Sequence, residues 1–335
     1  MKAAEFTLPE EDLDYIFDRP TNHPDQSPTV REFVFGPYPD NLETPTLVLV
    51  GGQPGAGKSR AMATVAQGRQ EELVPLSGDD LRPFHPAFTR LAQDHPWLMP
   101  NATAQASGAW VRRCIDHALQ NRYSLLLEGV FRNPHVVAQT IDRFAAAGYR
   151  VEVVGLAVPY RDSLLATLGR YLYPADTETA RWTPATAHDS AYNMIPSTLQ
   201  AAEDTAGTHQ LHITNREGAN LHTNTRTPHG QWTNPTPGAA VEATNSERNA
   251  APSPEIARTW LELWAEHTRE LAHRGQLNEQ TAPTLTRLAD QAQQAASIAY
   301  PHDHEARSTV TTHLRRLSQA PQDTPVELPP VRLPQ

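Results

Sequence analysis

Residues 46–59 read TLVLVGGQPGAGKS. The last eight of them, Gly52, Gln53, Pro54, Gly55, Ala56, Gly57, Lys58 and Ser59, carry the spacing G-x-x-x-x-G-K-[ST]. Each residue type has a chemical reason to be there. The glycines let the backbone wrap closely around a phosphate chain with several N–H groups turned inward. Lys58 brings a compact positive charge to the β- and γ-phosphates, and Ser59 offers a hydroxyl to Mg²⁺. The apolar, β-branched run Leu47–Val50 predicts a strand ahead of the loop. Residues Arg60–Gln70 predict a helix whose N-terminal partial charge faces the same anion. A glycine-rich turn without a ligand would need neither the Lys-Ser pair nor this register against a strand. The pattern therefore implies a nucleoside triphosphate site.

Loops of this kind serve motors, switches and kinases, and the flanking residues decide among them. Residues 77–86, Ser-Gly-Asp-Asp-Leu-Arg-Pro-Phe-His-Pro, follow a predicted strand at Leu73–Ser77. A carboxylate at that strand end can accept a hydroxyl proton during phosphoryl transfer. Asp79 and Asp80 are adjacent, so their side chains diverge and one of them faces the site; helix N-capping is the competing use. Residues 127–134, LEGVFRNP, follow the next predicted strand, Ser124–Leu127. An unpaired buried carboxylate is costly. Glu128 therefore reads as a ligand for a substrate hydroxyl, an indirect Mg²⁺ contact, or a partner of Arg132. Arg170 and Arg181 flank a Pro-containing loop that could close over the phosphates. Their guanidinium groups could neutralise charge on a transferring phosphoryl group, or simply pair with Asp176 or Glu178 on the surface. His188 reads as a structural hydrogen-bonding residue.

These residues need a scaffold, and composition bounds it. A chain of 335 residues predicts two domains, or one large domain with appendages. The formal net charge of −10 argues against a surface built to grip nucleic acid. The single cysteine, Cys114, excludes an internal disulfide and a cysteine-based zinc site, and reads as a small core residue. No stretch approaches the length of a membrane span and the first residues lack an apolar leader, so the expectation is a soluble, cytoplasmic protein.

Strand candidates at Leu47–Val50, Leu73–Ser77, Ser124–Leu127, Val151–Ala157 and Gln210–Thr214 alternate with helical patterns. That alternation predicts an α/β fold, a parallel five-stranded sheet flanked by helices. A short acidic helix is expected at Pro9–Phe17 and an extended piece at Phe33–Phe35. Further helices are expected at Asn133–Ala147, Arg161–Arg170 and Ser197–Thr205, with a mixed segment before Pro196. Residues 218–253, rich in Thr, Asn, Gly and Pro, read as a flexible linker. Ser253 then reads as the N-cap of a helix presenting Ile256, Trp260, Leu263, Trp264 and Leu271 on one face. Helices at Thr281–Tyr300 and Glu305–Ser318 complete a C-terminal helical extension. The expected divisions are 1–29, a lead-in; 30–217, the nucleotide domain; 218–253, the linker; 254–318, a helical module; and 319–335, a Pro-rich tail.

The runs GGQPGAGKS, GDDLRPFHP, LLLEGVFRNP, GYRVEVVGLAVP, TARWTPATAHD and ITNREGANL follow one another in the order of the zeta toxin family, which the chain resembles over residues 30–225. The resemblance implies a P-loop kinase fold and transfer of the γ-phosphate of ATP or GTP, with Mg²⁺, to the 3′-hydroxyl of the amino sugar of UDP-N-acetylglucosamine. It implies Lys58 as phosphate ligand, Ser59 as magnesium ligand and Asp79 rather than Asp80 as general base, six residues before the His85-Pro86 pair. His85, Glu128 and Arg132 are implied as substrate contacts, Arg170 and Arg181 as phosphate-stabilising groups, and Arg216 as a neighbour of the nucleotide. A small helical antitoxin is the implied partner, with no nucleic acid and no membrane. The chain departs from the family pattern at Arg112, Arg113 and Phe131. Two other readings compete: a P-loop kinase for another nucleotide sugar or a nucleoside, and a nucleotide-binding regulatory module. The C-terminal helices read either as an accessory bundle or as a tethered inhibitor.

Overall fold

A strand of six residues, β1 (Thr46–Gly51), buried along its whole length, is the axis of the fold. The structure is a computed structural model and describes residues 1–19, 27–129, 131–174 and 181–334. The other strands are β2 (Val74–Leu76), β3 (Leu125–Gly129), β4 (Arg150–Leu156), β5 (Gln210–Thr214) and β6 (Asn220–Thr225). The helices are α1 (Glu10–Phe17), α2 (Val30–Phe35), α3 (Lys58–Gln67), α4 (Phe88–Asp94), α5 (Met99–Ala102), α6 (Ala104–Asn121), α7 (Pro134–Ala146), α8 (Tyr160–Leu172), α9 (Ala185–Asp204), α10 (Ala239–Asn249), α11 (Pro254–His273), α12 (Ala282–Ala299) and α13 (His304–Gln319). Two compact units emerge, one from Met1–Val158 with Ala191–Glu247, the other from Pro159–Ser190 with Arg248–Gln335.

In the first unit the strands lie in the order β2-β3-β1-β4-β5-β6. Strands β1 to β5 are parallel and β6 runs antiparallel to β5. Alternation sorts the side chains onto two faces. Val48, Val50, Leu126 and Val154 pack with Met62 of α3. Leu47, Leu49, Leu125, Leu127, Val151 and Val153 face the other way, onto Trp110, Ile141 and Phe144. From β1 the chain crosses toward β2 and from β4 toward β5, in opposite directions, so the switch point lies at the C-terminal ends of β1 and β4.

Four expectations change. The sheet has six described strands rather than five. The sixth was hidden because Asn220–Thr225 is a half-exposed polar edge strand with no apolar alternation to mark it. It returns through a turn with Gly218 at φ +91°. Residues 218–253, expected as a flexible linker, hold β6 and α10. Phe33–Phe35, expected as extended, lies in α2, which Thr29 and Glu32 close with a reciprocal capping box. Residues 185–195, expected as part of a mixed segment, are helical, with Pro196 inside α9. Ser197 donates its hydroxyl to Met194 O beside the proline.

A buried ion cluster joins the turn after α3 to the sheet. Glu152 on β4, 4% exposed at its side chain, pairs with Arg69 and accepts from Arg150 Nε at 2.7 Å. Burial alone would raise its pKa, but the two guanidinium groups outweigh burial and hold the carboxyl below its ordinary value. Glu152→Gln should lower stability by about 3 kcal/mol, seen as an earlier denaturant midpoint with unchanged slope. Because the folded pKa is depressed, this contribution is present above the ordinary carboxylate pKa and is lost as pH falls through the folded value.

In the second unit α11 packs along α12, and both also pack on α8. The core holds Trp260, Leu261, Trp264, Leu271 and Leu288, whereas Ile256 and Leu263, expected on the same buried face, are 56% and 42% exposed. The tail beyond α13 is tied back by Val326 N–H to Ala272 O and Tyr300 O–H to Pro334 O, both 2.9 Å. His188 and His313 are buried, and burial pushes both imidazoles down to about 4. His188 bonds Ser163 Oγ and His313 bonds Thr268 Oγ1, each at 2.9 Å. An unfolded histidine titrates near 6.5 and the folded pKa is depressed. The stability these neutral rings contribute, on the order of 3 kcal/mol each, is therefore complete above pH 6.5 and drains away toward pH 4. Thermal melts at pH 7.5 and pH 5 should show a loss on acidification, and His313→Gln should flatten part of it.

Candidate functional site

The loop Gly52–Ser59 leaves the end of β1 and runs straight into α3. Gly55 and Gly57 sit at φ +77° and +91°, a left-handed conformation open to glycine, and Gly57 is the N-cap of α3. The loop is fixed from three sides. Ala56 is fully buried against Leu156 and Val158 beyond β4. Gln53, also fully buried, donates Nε2 to Val158 O at 2.9 Å. Arg216, in the turn after β5, donates Nη1 to Gly55 O at 2.9 Å.

Lys58 opens α3 with its side chain 8% exposed. Its Nζ donates to Gly52 O at 3.1 Å and to Gln53 O at 3.2 Å, and lies 3.6 Å from Glu128 Oε1. Glu128 comes from β3, two residues beyond Leu126, and so on the face of the sheet that carries α3. Strand parity thus brings two residues seventy positions apart onto one site. Ser59 follows in the first turn of α3, exposed. Its hydroxyl and the Glu128 carboxylate are hard oxygen donors of the kind Mg²⁺ takes, so the donor set fits that cation.

Beyond Glu128 the chain turns at Phe131, a bulky residue at φ +48° and 3% exposed. Such a conformation is strained and persists only where its surroundings over-determine it. Here the ring lies on Gly51, where a Cβ would come within 2.2 Å of ring atoms, and Thr198 Oγ1 donates to Phe131 O at 2.9 Å. Arg132, next in the chain, is exposed.

Asp79 stands in the turn after β2. Arg82 Nε donates to Asp79 Oδ1 at 2.9 Å, while Arg82 Nη1 donates to Pro100 O and Thr103 Oγ1, both 2.6 Å. One arginine therefore fixes the carboxylate and ties its loop to the α5–α6 junction. Ser107 Oγ donates to Gly78 O in the same loop. His85 is buried, with Nε2 2.9 Å from Phe6 O and Nδ1 accepting from Ala87 N–H at 3.1 Å, so both ring nitrogens are engaged within the fold. Arg82 and Thr198 were not singled out from the sequence. Only the i,i+3 spacing of Asp79 and Arg82 could have suggested the first, and nothing local marks the second.

Arg170 and Arg181 belong to the second unit. Arg170, in the last turn of α8, donates Nη2 to Thr183 Oγ1 at 3.0 Å, and Tyr171 meets Trp182 edge-on with centroids 5.4 Å apart. Residues 175–180, with Asp176 and Glu178, lie outside the described residues. Among the described residues no group of three or more His, Cys, Asp or Glu side chains is placed to hold a metal ion, and no helix is long and apolar enough to cross a membrane.

Comparison with known proteins places this arrangement. Toxin zeta of Enterococcus hirae and of Streptococcus pyogenes are each 31% identical over 189 residues, 56% of this chain and 66% of theirs. Toxin PezT of Streptococcus pneumoniae is 30% identical over 175 residues, 52% of this chain and 69% of its own. The matched stretch thus spans just under two-thirds of the length of the zeta toxins. A solved structure from the PezAT chromosomal toxin–antitoxin system of Streptococcus pneumoniae is alike in fold, with a TM-score of 0.62 and 20% identity over 78% of this chain and 98% of that one. The sequence model of the family described as Zeta toxin matches residues 34–227, more than half the chain and the whole stretch from β1 to β6 that carries Lys58, Asp79 and Glu128. The chain belongs to the zeta toxin family.

Proposed function

We propose that the protein is a P-loop kinase that transfers the γ-phosphate of ATP or GTP to the 3′-hydroxyl of the amino sugar of UDP-N-acetylglucosamine. The observation that carries the reading is the placement of Lys58. Its ammonium is held over the loop carbonyls of Gly52 and Gln53 and set 3.6 Å from Glu128, at the C-terminal edge of a parallel sheet. A phosphate chain in this loop meets a pre-positioned cation and the N-terminus of α3.

In this reading Gly52–Ser59 and Arg216 hold the nucleotide. Asp79, fixed by Arg82, orients the acceptor hydroxyl and takes its proton as the new O–P bond forms. Glu128 and Arg132 contact the acceptor, and His85 acts through the loop it braces. Arg170 and Arg181 supply guanidinium charge to the transferring group. Ser59 would hold Mg²⁺, which when bound neutralises charge on the β- and γ-phosphates. The relatives are toxins, and one solved neighbour comes from a toxin–antitoxin system. On that basis a small helical antitoxin is the proposed partner and a cytoplasmic wall precursor the proposed target.

The test is direct. Incubation with Mg²⁺, ATP or GTP and UDP-N-acetylglucosamine should give a singly phosphorylated sugar nucleotide by mass spectrometry, placed on the 3′-oxygen by ³¹P NMR. Phosphorylation of other nucleotide sugars but not this one would move the acceptor. Tight nucleotide binding with no transfer to any acceptor would favour a regulatory module.

A further inference from the structure

Arg170 and Arg181 are a short distance apart in sequence, and residues around them are contacted by Arg274, Gln276 and Arg287, far along the chain. All of these contacts lie within the second unit. Gln276, just past α11, donates Nε2 to the Tyr171 hydroxyl at 2.9 Å. Arg274 donates Nη2 to Leu172 O at 2.9 Å, and its guanidinium lies 5.9 Å from the Tyr173 ring centroid. Leu172 O is one of the last carbonyls of α8, which have no partner inside their own helix, so Arg274 closes that helix end. At Gly169, the residue before Arg170, a Cβ would come 2.7 Å from the His267 ring, so α8 and α11 approach too closely there for any side chain.

The far end of the arginine stretch is held by the same helices. Asp189, at the start of α9, accepts from the Tyr160 hydroxyl at 2.6 Å and from Arg287 Nε of α12 at 2.7 Å. Asp189 thus ties the beginning of α8, the beginning of α9 and α12 together. Between the two ends, Arg170 reaches Thr183, and Tyr171 packs on Trp182 beside Arg181. Burial of Trp260, Trp264, Leu271 and Leu288 already holds the helices together. Gln276 and Arg287 add little to that core, being only partly buried. Gln276 reaches Tyr171, next to Arg170, and Arg287 reaches Asp189, which closes the stretch that follows Arg181.

We infer that Arg274, Gln276 and Arg287 are positioning residues for phosphoryl transfer, acting through Tyr171, Leu172 and Asp189 to fix Arg170 and Arg181 relative to each other. The inference rests on the kinase reading above. It makes the C-terminal helices a working part of the enzyme rather than an appendage or a tethered inhibitor. Long, flexible arginines stabilise a transition state well only where their backbone is fixed, because displacement by about an ångström can cost a hundred-fold in rate.

The test uses the full chain with Gln276→Met, Arg287→Met and both together. The expected result is a fall in kcat of about ten-fold for each and up to a hundred-fold for the pair, with donor KM within two-fold and the melting temperature nearly unchanged. Arg287→Lys should recover part of the loss. Hydrogen exchange read by mass spectrometry reports the same contacts without catalysis, and peptides covering residues 165–174 and 181–190 should exchange faster in the double variant. Unchanged kcat, a raised kcat, or a loss that only tracks the folded fraction overturns the inference. So does unchanged exchange in both peptides. Faster exchange in a chain whose wild type transfers no phosphoryl group would overturn the kinase reading instead, leaving these contacts purely structural.

Discussion

Asp79→Asn is expected to lower kcat for phosphoryl transfer by about 10²–10⁴-fold while the donor KM stays within about two-fold. The substitution is isosteric, and its carbonyl oxygen can still accept from Arg82, whose Nε lies 2.9 Å from Asp79 Oδ1. The loop that Arg82 ties to Pro100 and Thr103 should therefore keep its course. What is lost is a group able to take the acceptor proton. Steady-state kinetics with each substrate varied in turn separates this from a binding defect. A rise in acceptor KM at constant kcat would make Asp79 a substrate ligand and not a base. Unchanged kcat would remove it from the mechanism. Arg82→Ala should give a weaker form of the same defect, because the carboxylate remains but its orientation is no longer fixed.

The second large effect is expected from Lys58→Met, which keeps the stem and deletes the charge. Transfer should fall by about 10²–10³-fold, the usual consequence of losing one pre-positioned charge at a reacting group. Nucleotide affinity should fall with it, since Lys58 meets the phosphates before the reaction as well as during it. The structure adds a consequence for stability. Glu128, 16% exposed at its side chain, faces Lys58 at 3.6 Å, and deleting the ammonium leaves a largely buried carboxylate without that partner. Adding Glu128→Gln to Lys58→Met should restore part of the lost stability and none of the lost activity. Denaturation midpoints and initial rates on the four members of this cycle read the two effects separately. If the double variant is no more stable than Lys58→Met alone, the pair is not coupled as the 3.6 Å separation implies.

The inference about the C-terminal helices bears on how the family's chemistry is distributed in this chain. The stretch matching the family ends at residue 227. Residues 274, 276 and 287 lie well outside it, yet they contact the segment that carries Arg170 and Arg181. A tethered inhibitor would predict the opposite response to the same substitutions, a gain of activity. The sign of the change in kcat therefore decides between the two readings.

The sequence by itself determined the loop and its strand. Glycine has to occupy positions held at φ +77° and +91°, and a lysine followed by a serine at a helix start is a local arrangement that local spacing reveals. It also determined the central strands β1 and β4, because a doubly covered strand is buried and apolar at nearly every position. The cap at Ser253 was legible because the bond that closes a helix end reaches only three residues. Where the signal was equally local but overlooked, as in the Thr29–Glu32 capping box, the reading failed by omission.

Only the tertiary structure decided which charges meet. Lys58 faces Glu128 because β1 and β3 are adjacent and in a register that puts Glu128 on the α3 face. Arg82 fixes Asp79, Arg216 braces Gly55, and Arg287 reaches Asp189. A buried or half-buried charge takes whatever opposite charge the packing brings to it, and packing depends on strand order and helix crossings that no short stretch of sequence encodes. The edge strand β6 was invisible for a related reason. Its residues are polar and half exposed, and it is held as a strand mainly by hydrogen bonds to β5, a partner that exists only once the sheet has formed.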